Sequence, residues 1–316
     1  MEFQTKIPIE EQRHDRIDHH SKLLLLGSCF VESIGEKLNY FKFQTLNNPF
    51  GILFHPLAIE NFIVKAINDY QYTSKDLVVH NGIYQSFDAH SKLSATSEEQ
   101  SLSNLNDQIQ LTKDRLVNIS HLVITLGTAW TYRHISSDKT VANCHKIPQK
   151  QFTKELLSIP AISESLDAII GLVRSVNPKC AFLFTVSPVR HLKDGFIENN
   201  QSKAHLISAL HTIIEPRDHI YYFPSYELVM DELRDYRFFA EDMIHPNDLA
   251  ISYIWEKFTA TWMTDETHDV MDVIDEVQKG LDHKPFHPES EQHQLFLNRL
   301  KTKQAKISSQ FSHIVF

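Results

Sequence analysis

The sequence predicts an α/β domain built on a parallel sheet with helices on both faces, and three observations carry that reading. First, short and mainly apolar runs end abruptly at glycine or serine: Leu23 to Leu26 before Gly27 and Ser28, His121 to Leu126 before Gly127, and Ala181 to Val186 before Ser187 and Pro188. Such runs mark strands buried on both faces. Second, helical spacing follows at once, beginning with Val31, Ile34, Leu38 and Phe41. Strand, tight glycine turn and helix form the unit of doubly wound sheets. Third, 316 residues, 42% of them hydrophobic, suffice for one large core with added elements at its edges.

In chain order, the first strand and helix lead to a presumed second strand and a loop containing Asn48. From Tyr72 to Asn104 the chain is polar and lacks clear periodicity, so it is expected to form an irregular insertion with a hairpin at His80 to Phe87. After the strand His121 to Leu126, a helix is expected over Leu156 to Val176, then the strand Ala181 to Val186, a helix over Ser202 to Ile214 and a strand over Ile220 to Phe223. Leu249 to Met263 reads as a closing helix capped by Asn247 or Asp248. Right-handed crossovers follow from strand chirality. The main domain is expected over 1–264, with a charged, partly helical extension over 265–316 whose helix lies at Gln292 to Gln304.

A net charge of −9 argues against a general binder of nucleic acid or anionic membrane. No apolar run approaches the ~20 residues that span a bilayer, and the first twenty residues carry charges where a leader peptide needs an apolar core. A cytoplasmic location is the expectation. Cys29, Cys144 and Cys180 are odd in number and lack metal-like spacing, so neither a disulfide framework nor a zinc knuckle is indicated. His14, Asp15, Asp18, His19 and His20 are metal-ligating types, but in a polar lead-in a solvated face is the stronger reading and no metal is assigned.

Open parallel sheets bind ligands at the carboxyl ends of their strands. There, Ser28 lies between a buried strand and a helix N-terminus, where free N–H groups and the helix dipole favour developing negative charge. Its hydroxyl needs a base. Asp242 and His245, three residues apart before the closing helix, suit an imidazole held in one tautomer by a carboxylate.

Gly27-Ser28-Cys29-Phe30 resembles the GSCFA proteins, a bacterial group related to SGNH (GDSL-like) hydrolases, in which the GDS of the first block becomes GSC. The resemblance extends through Asn48-Pro49-Phe50-Gly51 with His55-Pro56, Ser86 to Ser91, Leu126 to Trp130, Val141 to Lys146, Thr185 to Arg190, and Asp242 to Pro246, about residues 20 to 260 in all. The tail lies outside it. The resemblance implies a flavodoxin-like three-layer α/β/α sandwich, with Ser28 as nucleophile, His245 as general base and Asp242 as its orienting acid. Where SGNH enzymes read Gly-x-Asn-Asp, this chain has Gly127-Thr128-Ala129-Trp130, so an oxyanion donor is missing. One such donor is worth about 2.7 to 4 kcal/mol. Asn48, Asn143 and the backbone of Gly51 and Ser28 are the candidate replacements.

Cys29, Gly127, Thr128, Trp130, His145, Arg190, His191 and His90 are expected around the substrate, with Arg190 suited to an anionic acyl group or phosphate. Cys29 itself is expected to pack under the helix, and Cys144 beside His145 to line the site. The expected activity is ester hydrolysis or O-acyl transfer through an acyl-serine intermediate, on an acylated small molecule or carbohydrate, without a cofactor. A non-catalytic binding module on the same fold and, less favoured, a metal-dependent phosphoesterase are the alternatives. The tail's role and the oligomeric state are not legible.

Overall fold

The computed structural model describes residues 4–316. Strand β1 (Lys22–Gly27) leads into α1 (Cys29–Tyr40), followed by β2 (Gln44–Asn47) and α2 (Pro56–Ile67). A hairpin of β3 (Val78–His80) and β4 (Ile83–Gln85) precedes α3 (Glu98–Leu116) and β5 (His121–Leu126). Next come β6 (Trp130–His134), β7 (Lys139–Val141) and β8 (Phe152–Leu156), then α4 (Ile159–Val176), β9 (Ala181–Val186), α5 (Phe196–Ile213) and β10 (Ile220–Tyr222). The short α6 (Ser225–Glu227) runs into a π-helical turn, and α7 (Asp248–Trp262), α8 (Asp265–Asp282) and α9 (Glu291–Gln310) complete the chain.

Five parallel strands form the central sheet in the order β10-β9-β5-β1-β2. Numbered by appearance within that sheet the order is 2-1-3-4-5, the doubly wound order of flavodoxin, whose switch point falls beside the first strand. Alternation along β1 sends Leu24 and Leu26 into one core with α2, α3, α4 and α5, and Leu23 and Leu25 into another with α1 and α7. Helices therefore cover both faces, and every strand of the middle is apolar on both sides. Ser28 and Gly127 follow the two strands that flank the switch point.

Several expectations need correction. The 72–104 insertion holds the hairpin, turned at Asn81-Gly82 with φ of 51° and 74°, but from Glu98 onward it is already α3. The expected helix at Leu156 begins only at Ile159, because Ser158 caps it by accepting from the Ala161 N–H and Pro160 follows at the first turn. Before it lies an unforeseen antiparallel sheet, β7-β6-β8, beside the carboxyl end of β5. Helix α5 starts at Phe196 rather than Ser202. The closing helix is capped by Asn247, whose side chain accepts from Ala250 N–H, and the tail is two helices rather than one. No helix among the described residues is long and apolar enough to cross a membrane.

Candidate active site

At the end of β1 the backbone of Gly27 has φ of +131°, and a Cβ there would stand 2.1 Å from the Thr125 carbonyl oxygen of β5. Only glycine allows the strand to turn this closely into a helix. Ser28 is the N-cap of α1 in extended conformation, yet its side chain caps nothing. It is fully buried, its hydroxyl meets no partner among the described residues, and its N–H is spent on Thr125 O at 3.0 Å. Cys29, the first helical residue, is half-buried and faces outward.

The loop before α7 brings the other two groups. Met243 takes a left-handed φ of 59°, and Asp242 Oδ1 accepts from the N–H groups of Ile244 (2.9 Å) and His245 (3.0 Å). Its Oδ2 accepts from His245 Nδ1 at 2.6 Å. These N–H donors, foremost the His245 backbone, hold the Asp242 carboxylate down at about 2. With Nδ1 carrying the proton, His245 Nε2 is left as an acceptor, and it lies 3.8 Å from Cys29 Sγ. The structure thus brings His245 to Cys29 and not to Ser28, and Cys29 does not pack under the helix. Burial, and secondarily Glu32, pushes the Cys29 thiol up, while the N–H groups of Cys29 and Phe30 and the Lys203 charge pull the other way.

The oxyanion candidates separate. Gly51 N–H is committed to Asn48 O at 2.7 Å, and Gly51, with φ of +70°, instead makes room for His90. Asn143 Oδ1 accepts from His145 N–H at 2.8 Å. Asn48 Oδ1 accepts from Gly27 N–H at 2.9 Å, which leaves its Nδ2 buried and unpartnered beside the turn. Of the expected replacements, Asn48 and Asn143 thus each keep a side-chain amide donor with no partner among the described residues, Asn48 buried beside the turn and Asn143 lining the adjacent cleft.

A cleft of about 790 Å³ opens at this point, lined by Cys29, Thr128, Trp130, His145, Arg190 and His245 among others. The unforeseen antiparallel sheet contributes Trp130, Tyr132, Val141 and Phe152 to its lining, beside the β7–β8 loop and the loop after β9. The Trp130 indole donates to Glu198 O at 3.0 Å and carries the Lys154 ammonium 4.4 Å from its ring centre. Gly127 and Thr128 N–H groups both go to Phe54 O, so that loop supports the cleft without presenting free donors. His90 packs on Gly51 and does not line the cleft. Cys144 does, with its thiol pushed up to about 11 by burial.

A model of the GSCFA family matches residues 22–258. The chain belongs to the GSCFA family. A second model, the C-terminal domain of GSCFA domain proteins, matches 274–316, so the tail set outside the resemblance is itself a GSCFA element. No curated protein matches the chain.

One group of this GSCFA site, Lys203, escaped the sequence reading. Lys203 of α5 is wholly buried, and its Nζ donates to Gly127 O (2.6 Å) and Ser187 O (2.7 Å), tying together the ends of β5 and β9. Burial lowers it to about 7. His191 is pushed to about 4 by burial, with Lys203 and His245 adding to the effect, and its buried Nε2 has no partner among the described residues. A lone lysine in a helix carries no spacing signal, whereas His191 stands in the loop after β9 and lines the cleft as expected. The lead-in cluster disperses: His19 stacks on Phe43, Asp15 takes His219 and Tyr221, and Asp18 caps the turn at His20 and Ser21.

Proposed function

We propose that this GSCFA chain is an SGNH-type acyl hydrolase or acyltransferase whose nucleophile is Cys29 rather than Ser28. One observation carries the reading: Asp242, His245 and Cys29 stand in line, at 2.6 and 3.8 Å, at the carboxyl end of β1 and the edge of an open cleft. If GDS becomes GSC, the residue in the place of the GDS serine is the third one, Cys29, which supports the same assignment. In the proposed reaction His245 Nε2 takes the thiol proton as sulfur attacks the acyl carbonyl, and a thioester forms. The imidazolium then protonates the leaving alcohol. Water gives hydrolysis; a sugar hydroxyl or other alcohol gives transfer. The Cys29 N–H at the helix N-terminus and Asn48 Nδ2 are the donors proposed for the oxyanion.

The test is covalent labelling of the purified chain by iodoacetamide and by an activated ester such as p-nitrophenyl acetate, with peptide mapping. Modification at Cys29 is expected, slowed about a hundredfold in His245→Ala and unaffected by Ser28→Ala where that variant folds. Labelling at Ser28 would restore the acyl-serine mechanism. A Cys29 no more reactive in wild type than in His245→Ala would favour the binding module.

A further inference from the structure

The chain is acidic overall, yet the charge along the cleft has the opposite sign. Lys146, Arg190 and Lys193 line it against a single lining carboxylate, Asp194, which is already paired with Lys154 at 2.6 Å. Among the described residues none of those three cations has a carboxylate at ion-pair distance, and Asp242 at the edge is engaged by His245. Beneath them Lys203 adds a buried amine held only by carbonyls. Like charges gathered without counterions repel, and apolar walls of Phe54, Trp130, Tyr132 and Phe152 focus their field into the cleft.

A second feature points to a ligand independently. His145 is 7% exposed, and its Nε2–H donates to Ser86 O at 2.6 Å. Its Nδ1 is thereby left a buried acceptor with no partner among the described residues. The segment that places it is strained, with left-handed φ of 52° at His145 and 61° at Lys146.

We infer that the cleft beside Cys29 takes an acyl substrate bearing an anionic group, carboxylate or phosphate, held by Arg190, Lys193 and Lys146, together with a hydroxyl or N–H that donates to His145. The inference names the substrate class of the proposed cysteine site and rests on that reading. A volume of about 790 Å³ fits a small molecule of this kind.

Two alkylating probes that differ in charge, iodoacetate and iodoacetamide, test it, with peptide mapping to separate Cys29 from Cys144. Relative to free glutathione, iodoacetate is expected to gain about tenfold over iodoacetamide at Cys29. That gain should vanish at about 0.5 M salt, where exposed charges are screened, and in the Lys146→Gln, Lys193→Gln double variant, whose positions are exposed. Protection of Cys29 by inorganic phosphate but not succinate assigns a phosphate, and the reverse a carboxylate. A glutathione-like ratio at a reactive, His245-dependent Cys29 overturns the anion site and leaves the nucleophile standing. Should Cys29 be inert to both probes, the nucleophile reading fails. Calorimetric binding of phosphate or succinate to wild type and not to the double variant then still supports the anion site, and binding of neither overturns it.

Discussion

At a helix start, one residue decides which side chain is hidden and which meets the solvent. Successive side chains project about 100° apart, so Ser28 at the N-cap turns inward while Cys29 reaches His245. The motif was legible and its register was not. Lys203 was not legible at all, and it supports a prediction of its own. Burial takes its amine from 10.5 to about 7, so between those values the unfolded chain binds a proton that the native chain does not. Stability linked to Lys203 is therefore complete above the unfolded value and is lost as pH falls through about 7. Lys203→Met removes the titration. In urea unfolding compared at pH 7 and pH 9, wild type is expected to gain on the variant by at most about 1.4 kcal/mol per pH unit. An unchanging gap would show that the two carbonyls keep the ammonium charged throughout.

Among elements, those of the central sheet were legible because their burial on both faces leaves apolar runs that glycine or serine ends. Helix α3 was not. Its inward positions Ser101, Leu105, Ile109, Thr112 and Leu116 follow a helical period, but two of the five are hydroxyl residues, so the apolar signal falls below recognition. The antiparallel sheet under the cleft was hidden for a related reason: β6 is fully buried only at Thr131, and its alternation is blurred. Glycines show how differently elements tolerate change. Gly27→Ala would drive a methyl group into the β5 backbone at a φ that alanine avoids, and is expected to disrupt folding or part β1 from β5. Gly171, in mid-α4, is exposed, and a methyl group added there would meet nothing within 4 Å. Gly171→Ala is expected to raise stability by about 0.5 to 1 kcal/mol. Chemical denaturation of the two variants checks both statements, and a destabilised Gly171→Ala would mean that α4 meets a neighbour there.

For the whole molecule the open matter is what the C-terminal helices do for a site they do not line. They dock at the far end of α1 from Cys29: Tyr40 donates to Asp275 at 2.9 Å, and Gln278 donates to Tyr40 O at 3.2 Å. At 1.5 Å per residue that end lies roughly 16 Å along the helix from the thiol. Gly280 lets Leu300 approach so that α8 and α9 pair, and Lys303 bridges to Glu276. Ile274, Ile307, Phe311 and Ile314 then form a small core of their own, joined to the main one through Phe41, which stacks on Trp255. Phe311 also rests on His19 and His20, with ring centres 5.2 and 5.1 Å away. The pair of helices thus packs against the outer end of α1 and the lead-in to β1, contacts from which a contribution to stability is expected. Phe311→Ala is expected to cost about 3 kcal/mol in chemical unfolding, while the rate of Cys29 alkylation in the folded variant stays at the wild-type value. Slower alkylation in a variant still folded would instead mean that strain at this end travels along α1 to the nucleophile, and the C-terminal domain would then belong to the mechanism as well as to the fold.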